Sequence, residues 1–195
     1  MEIAAQTIQE PGELPTGVDL WFLSPKFSTK RYRSPEKFAE YVDGLVDRSA
    51  PDANLILWIR VWNFADNQFW YPTFNQWIRH GVILSGSGNR TEMGVVFSRS
   101  IESRWRMKAI WSEGGGPKCS HTCSWVVRKI CSGDKKLICD PYAKSHHLAM
   151  WCRRLNVEYR GYTRYQGVRD KIEKELAQLE FPGIQEELPH LMSGE

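Results

Sequence analysis

The chain lacks any run of the roughly 20 apolar residues that a helix needs to cross a bilayer, so no membrane-spanning helix is expected in its 195 residues. Its opening, MEIAAQTIQEPGELP, has no basic start, no apolar centre and no small-residue cleavage site, the three parts of a secretory signal. A cytoplasmic, reducing address is the expectation. Charge of one sign is also missing. With 26 Lys and Arg against 23 Asp and Glu, the net charge of +3 permits a nucleic-acid partner without demanding one. Five cysteines cannot all pair, and their spacing is not that of a secreted disulfide framework. Cys119, His121 and Cys123 crowd together, but the paired C-x-x-C knuckles of a zinc site are absent, so no metal is expected. Internal repeats and low-complexity stretches are lacking too.

What remains is an ordinary globular composition, 42% hydrophobic and 25% charged, long enough for one substantial core. Nine tryptophans are many for this length, and most should be core or interface anchors. Residues 1–17, punctuated by Pro11, Gly12, Pro15 and Gly17, read as an irregular lead-in. A single domain is expected over 18–180, followed by a Pro/Glu-rich tail over 181–195.

Within that domain, Val18–Leu23 is an apolar run stopped by Ser24-Pro25, the pattern of a buried strand. Ser34-Pro35 opens a helix carrying Phe38, Tyr41, Val42 and Leu45 at helical spacing. Leu55–Val61 is a second apolar strand, and Phe69–His80 reads as a helical segment. Gly81–Leu84 and Met93–Phe97 read as an antiparallel pair joined by a loop longer than a tight hairpin turn. The last third alternates regularly: helix His121–Cys131, strand Lys136–Cys139, helix Ala143–Leu155, strand Val157–Tyr162, helix Val168–Leu179. Strands separated by helices of about a dozen residues imply an α/β fold with a doubly wound, mostly parallel sheet. The antiparallel pair belongs at its edge.

In such a sheet, ligands collect beyond the carboxyl ends of the strands, where strand order reverses. Two strand ends stand out: Ser24-Pro25-Lys26-Phe27, and Asp140-Pro141-Tyr142-Ala143-Lys144-Ser145-His146. Read alone, Ser-Pro and Asp-Pro simply terminate strands, and His146-His147 is an exposed polar pair at a helix start. Arg99, Arg104, Trp105, Arg106 and Lys108 interleave basic and aromatic side chains, which suits phosphate contacts and base stacking. The competing reading is a solvated connector with Trp105 tucked into the core. Trp58, Trp62, Phe64, Phe69, Trp70 and Tyr71 read as core or subunit interface in preference to the alternative, a base-stacking platform.

Taken in order, these parts resemble the permuted class of S-adenosylmethionine-dependent DNA amino-methyltransferases, which modify N6 of adenine or N4 of cytosine. That family carries an early (Asp/Asn/Ser)-Pro-Pro-(Tyr/Phe) motif and a late strand ending in Asp-Pro-Phe-x-Gly-Ser-Gly. Here the early motif is Ser24-Pro25-Lys26-Phe27 and the late one Asp140-Pro141-Tyr142-Ala143-Lys144-Ser145-His146. The resemblance spans roughly residues 15–180 and implies a Rossmann-like methyltransferase fold. It implies a target site of Ser24, Pro25 and Phe27, with Phe27 stacking on a flipped base. It implies a cofactor site of Asp140, Pro141, Tyr142, Ser145 and Thr163 for S-adenosylmethionine, and DNA as partner. Lys144 and His146 take both glycine positions of the cofactor turn, and Thr163 stands where the family has an acid. Two functions follow as alternatives. In one, methyl transfer is impaired or lost and the protein acts by binding DNA or a partner subunit, as a homodimer or beside an active subunit. In the other, it is an active methyltransferase acting on an exocyclic amino group.

Overall fold

An apolar run closed by a proline makes the central strand. Strand β2 (Val18–Leu23) is covered on both faces, which is why it reads as continuous hydrophobic sequence rather than an alternation. The computed structural model describes residues 2–4, 13–25, 35–60, 74–87, 90–99, 111–113, 120–130 and 136–178. Around β2 lie β1 (Glu2–Ala4), β3 (Ser49–Arg60), β4 (Ile78–Ser87), β5 (Arg90–Ser98), β6 (Trp111–Glu113), β7 (Leu137–Asp140) and β8 (Glu158–Tyr162). The helices are α1 (Pro35–Gly44), α2 (Ser120–Ile130), α3 (His147–Arg154) and α4 (Gln166–Ala177), with a 3-10 turn at Leu45–Arg48.

These strands form one eight-stranded sheet in the order β1-β8-β7-β2-β3-β5-β4-β6. Every neighbouring pair is parallel except β3/β5 and β5/β4, so β5 alone runs against the rest. The α/β class and the mostly parallel sheet expected from the sequence are both present.

The sheet separates two cores. On one face, Leu20, Phe22, Ile56, Trp58, Val96, Ile138 and Tyr159 meet apolar side chains of α2, α3 and α4. On the other, Val18, Trp21, Leu23, Leu55, Leu57 and Phe97 meet Phe38, Tyr41 and Val42 of α1, with Leu45, Phe74 and Trp77. From Leu20 onward, residues of β2 alternate between the faces, as the period of a strand requires, and Val18 departs from that alternation across the register shift between Val18 and Leu20. Each fully buried large side chain contributes about 1.5–3 kcal/mol relative to exposure. The period-3.6 pattern of α1 exists to place its aromatic stripe over β2 and β3.

Five local expectations differ from the structure. Ile78–His80 begins β4 and is not the end of a helix, because Ile78 pairs with Ser98 and Arg79 with Phe97. Cross-strand pairing outweighs local helical spacing here. The first part of that expected helix, 69–73, lies outside the described residues. Glu2–Ala4, within the expected irregular lead-in, forms a parallel edge strand against Arg160–Tyr162. The β4–β5 pairing continues to Ser87↔Arg90, leaving only Gly88 and Asn89 between the strands rather than a long loop. That pair is not itself the edge of the sheet, since β6 lies beyond β4. Helix α3 starts at His147 rather than Ala143, because the Asp140 carboxylate and the Tyr162 carbonyl hold the intervening turn. The tail 181–195 lies outside the described residues.

Candidate functional site

From β7 the chain passes through α3 to β8 on one side, and from β2 through α1 to β3 on the other. Strand order therefore reverses between β7 and β2, which are direct neighbours with Trp21 opposite Cys139. A crevice outside their carboxyl ends is the position where open α/β sheets take ligands. Ser24-Pro25 and Asp140-Pro141 both close this crevice, so the two motifs singled out from sequence lie side by side.

Asp140 is fully buried. Its Oδ1 accepts from the Tyr142 backbone N–H at 3.0 Å, and its Oδ2 accepts from the Tyr159 hydroxyl at 3.4 Å. The phenol reaches it because residue 161 is glycine: a Cβ there would lie 2.6 Å from the Tyr159 hydroxyl oxygen. Burial, and then the neighbouring Asp140 carboxylate, push the Tyr159 phenol well above its ordinary range, so it stays protonated and donates. Burial and Asp140 raise the Cys139 thiol in the same way, which makes it an inert core group. Tyr162, half-buried, is also raised by burial.

The turn after Asp140 is pinned to β8 by the Ala143 N–H, which donates to the Tyr162 carbonyl at 2.8 Å. Pro141 is buried, while Tyr142 and Ser145 are half-buried in this turn. Lys144 then reaches across the crevice: its Nζ donates to the Ser24 carbonyl at 2.8 Å. Thr163, 6% exposed, accepts at Oγ1 from the Tyr165 N–H at 3.4 Å, a turn contact just before α4. At the start of α3, His146 pairs with Glu175 of α4, and its ring lies 4.1 Å from that of His147. Burial first, then the adjacent His146, lower the pKa of His147 against a smaller opposing pull from Glu175. His147 therefore favours the neutral form.

Four buried side-chain atoms find no hydrogen-bond partner among the described residues: Ser24 Oγ, Trp58 Nε1, His147 Nδ1 and Asn54 Oδ1. The first three belong to segments at the carboxyl ends of β2, β3 and β7. Buried polar groups are almost always paired in folded proteins, and exceptions gather where a ligand completes them.

Of the residues expected to act, Ser24, Pro25, Asp140, Pro141, Tyr142, Ser145 and Thr163 come together around the β2/β7 gap. Phe27, Arg104, Trp105, Arg106 and Lys108 lie outside the described residues. Arg99 sits at the opposite end of the sheet, where its guanidinium donates to the Val46 carbonyl at 3.2 Å and its N–H to the Ala53 carbonyl at 3.0 Å. Trp58, read from sequence as core or interface, belongs beside Ser24. Its place at the end of an apolar strand adjoining the Ser-Pro strand was the only signal. No group of three or more metal-binding side chains occurs among the described residues.

The sheet order, the single reversed strand and the crevice at its switch point define a doubly wound α/β fold of the kind found in solved DNA methyltransferases. Solved structures bear this out. TTHA0409 of Thermus thermophilus, a candidate DNA modification methylase, superposes with a TM-score of 0.67 at 15% identity, over 86% of this chain and 90% of its own. M1.HpyAVI in its S-adenosylmethionine complex gives 0.61 at 12% identity, over 83% and 88%. The cytosine-N4-specific PvuII DNA methyltransferase gives 0.60 at 9% identity, over 86% and 89%. No protein-family model matches the sequence, and no curated protein matches it either. At these identities the likeness establishes the fold.

Proposed function

We propose that this protein uses a DNA-methyltransferase fold to bind DNA, alone or as one half of a dimer with an active subunit, with its own methyl transfer impaired or lost. The observation that carries the reading is the Lys144–Ser24 hydrogen bond. A methyl donor has to lie between the β7 turn and the Ser24 motif, and the Lys144 side chain spans that interval. S-adenosylmethionine does not fit these residues as they are arranged. A glycine-rich turn offers backbone N–H groups at close approach, whereas this turn carries Lys144 and His146. The ribose hydroxyls would meet Thr163, whose oxygen already serves the Tyr165 N–H. A carboxylate there would supply a charge-assisted bond that a hydroxyl cannot.

The target side is better kept. Ser24 Oγ is buried and unpartnered beside the buried Pro25. An amino group on a flipped base needs acceptors of this kind more than it needs a strong base. The same orphan hydroxyl is the one observation that favours the second reading, an active enzyme acting on N4 of cytosine or N6 of adenine. That reading requires Lys144, which is exposed, to leave the crevice.

The test combines a DNA-binding assay with transfer of label from S-adenosylmethionine to DNA. The expected result is DNA binding, weakened by charge reversal at Arg104 and Arg106 and accompanied by a shallower salt dependence, with no label transferred. Turnover that disappears in Ser24→Ala would establish the active enzyme instead. Absence of binding to any DNA would leave a partner subunit as the object of the fold.

A further inference from the structure

Among the described residues, Trp58 is the buried indole whose N–H has nothing to bond. Trp21 Nε1 donates to Ser49 Oγ at 2.8 Å, Trp77 Nε1 to the Val42 carbonyl at 3.1 Å, and Trp151 Nε1 to Ser120 Oγ at 3.0 Å. Trp58, 3% exposed, has no such partner for Nε1. Its ring is nevertheless held firmly. The Phe22 ring lies 5.8 Å away at 44°, and the indole covers Gly94 of β5 so closely that a Cβ there would meet Cη2 at 3.1 Å and Cδ2 at 3.2 Å. A side chain at position 94 would push the indole aside by a few tenths of an ångström. The sequence thus fixes the ring and leaves its one polar atom unused.

Ser24 and Trp58 each follow the last registered pair of β2 and β3, Leu23↔Leu57, by one residue. Neighbouring strands lie about 4.8 Å apart. Leu20 and Phe22 share a core with Ile56 and Trp58, so the alternation of β2 carries Ser24 onto the face that Trp58 occupies. Two orphan polar groups, a hydroxyl and an indole N–H, therefore belong to adjacent positions of neighbouring strands on one face of the sheet, just beyond the last β2/β3 pair. An indole nitrogen can only donate, whereas a hydroxyl can also accept.

We infer that Trp58 is a base-positioning residue: its N–H donates to the ring nitrogen adjoining the amino group of a cytosine or adenine whose amino group faces Ser24. The inference rests on reading the Ser24 site as a base site. A flipped base is read through such edges, and an amino donor beside a ring acceptor is complementary to Ser24 Oγ beside Trp58 Nε1. Filling both orphan groups with one ring also accounts for their adjacency. The Lys144 arm bonded to the Ser24 carbonyl is displaced when a base enters.

The experiment measures binding of fluorescent single-stranded oligothymidylates, either uniform or with one central dC or dA. The wild-type protein should prefer the dC or the dA strand over the uniform one by about tenfold, roughly the worth of one buried hydrogen bond. Trp58→Phe keeps a ring over Gly94 and removes the N–H, so it should reduce the ratio of substituted-strand to uniform-strand affinity to about one. Replacing the central base by its 3-deazacytosine or 1-deazaadenine analogue should abolish the preference in the wild type and change nothing further in Trp58→Phe. Loss of packing alone would weaken all strands equally. Undiminished preference in Trp58→Phe, or equal binding of uniform and substituted strands by the wild type, overturns the inference while the DNA-binding reading stands. No binding to any strand or to duplex overturns both.

Discussion

The two ends of the sheet treat polar groups differently. At the amino ends, polar groups are used to lock elements together. Trp21 Nε1 donates to Ser49 Oγ, Ser49 Oγ donates on to the Leu45 carbonyl at 2.7 Å, and Arg99 holds the Val46 carbonyl. Asp19 Oδ2 accepts from the Leu137 N–H at 2.7 Å, tying β2 to the start of β7. At the carboxyl ends, Ser24 Oγ, Trp58 Nε1 and His147 Nδ1 are buried and unpaired among the described residues. Asn54 Oδ1 is the exception, since it lies nearer the amino ends. The difference teaches that one end has been optimised for stability, whereas the other holds groups in reserve at a cost to stability, the usual mark of a working site.

Substitutions at the two ends should therefore have opposite signs. The largest effect is expected at the amino end: Trp21→Ala removes a fully buried ring and the N–H that Ser49 accepts from, and should destabilise by about 3–5 kcal/mol in urea unfolding. Next comes Ser49→Ala, which deletes both bonds of the relay and leaves the Trp21 N–H and the Leu45 carbonyl short of a partner, for a loss of about 1–3 kcal/mol. At the carboxyl end, Ser24→Ala removes an unsatisfied hydroxyl and should stabilise by up to about 1 kcal/mol while weakening ligand binding. A destabilisation as large as that of Ser49→Ala would erase the contrast between the ends.

The smallest effect concerns pH. The folded-state pKa of His147 is depressed by burial, so the unfolded chain takes up the proton more readily as the medium is acidified. Its contribution to stability is fully present above the unfolded value of about 6.5 and is lost as pH falls through the lower folded value. Comparing the urea midpoints of wild type and His147→Gln across that interval checks the sign: the wild type should lose stability faster on acidification.

Much of this architecture was legible in the residues because the central strands are buried on both faces. Val18–Leu23 and Leu137–Asp140 are apolar runs closed by X-Pro, so their type and their ends could be read directly. Glu2–Ala4 could not, because three residues carry no periodicity and only the β8 edge makes them a strand. Ile78–His80 was misread for a related reason: its pairing with β5 is a tertiary fact. The site divides similarly. That Lys144 stands where the resembled motif has a glycine can be read from the sequence, but its bond to a carbonyl 120 residues away cannot. Trp58 looked like core and is core on every side except at its nitrogen, a distinction that only the register with β2 and Gly94 brings out.

The most direct test of the account is calorimetric titration of S-adenosylmethionine into the wild-type protein and into Lys144→Gly. With the lysine arm lying across the crevice, the wild type should show no binding at millimolar ligand, and Lys144→Gly should regain measurable affinity. Micromolar binding by the wild type, unchanged in Lys144→Gly, would contradict the claim that Lys144 fills the place of the cofactor.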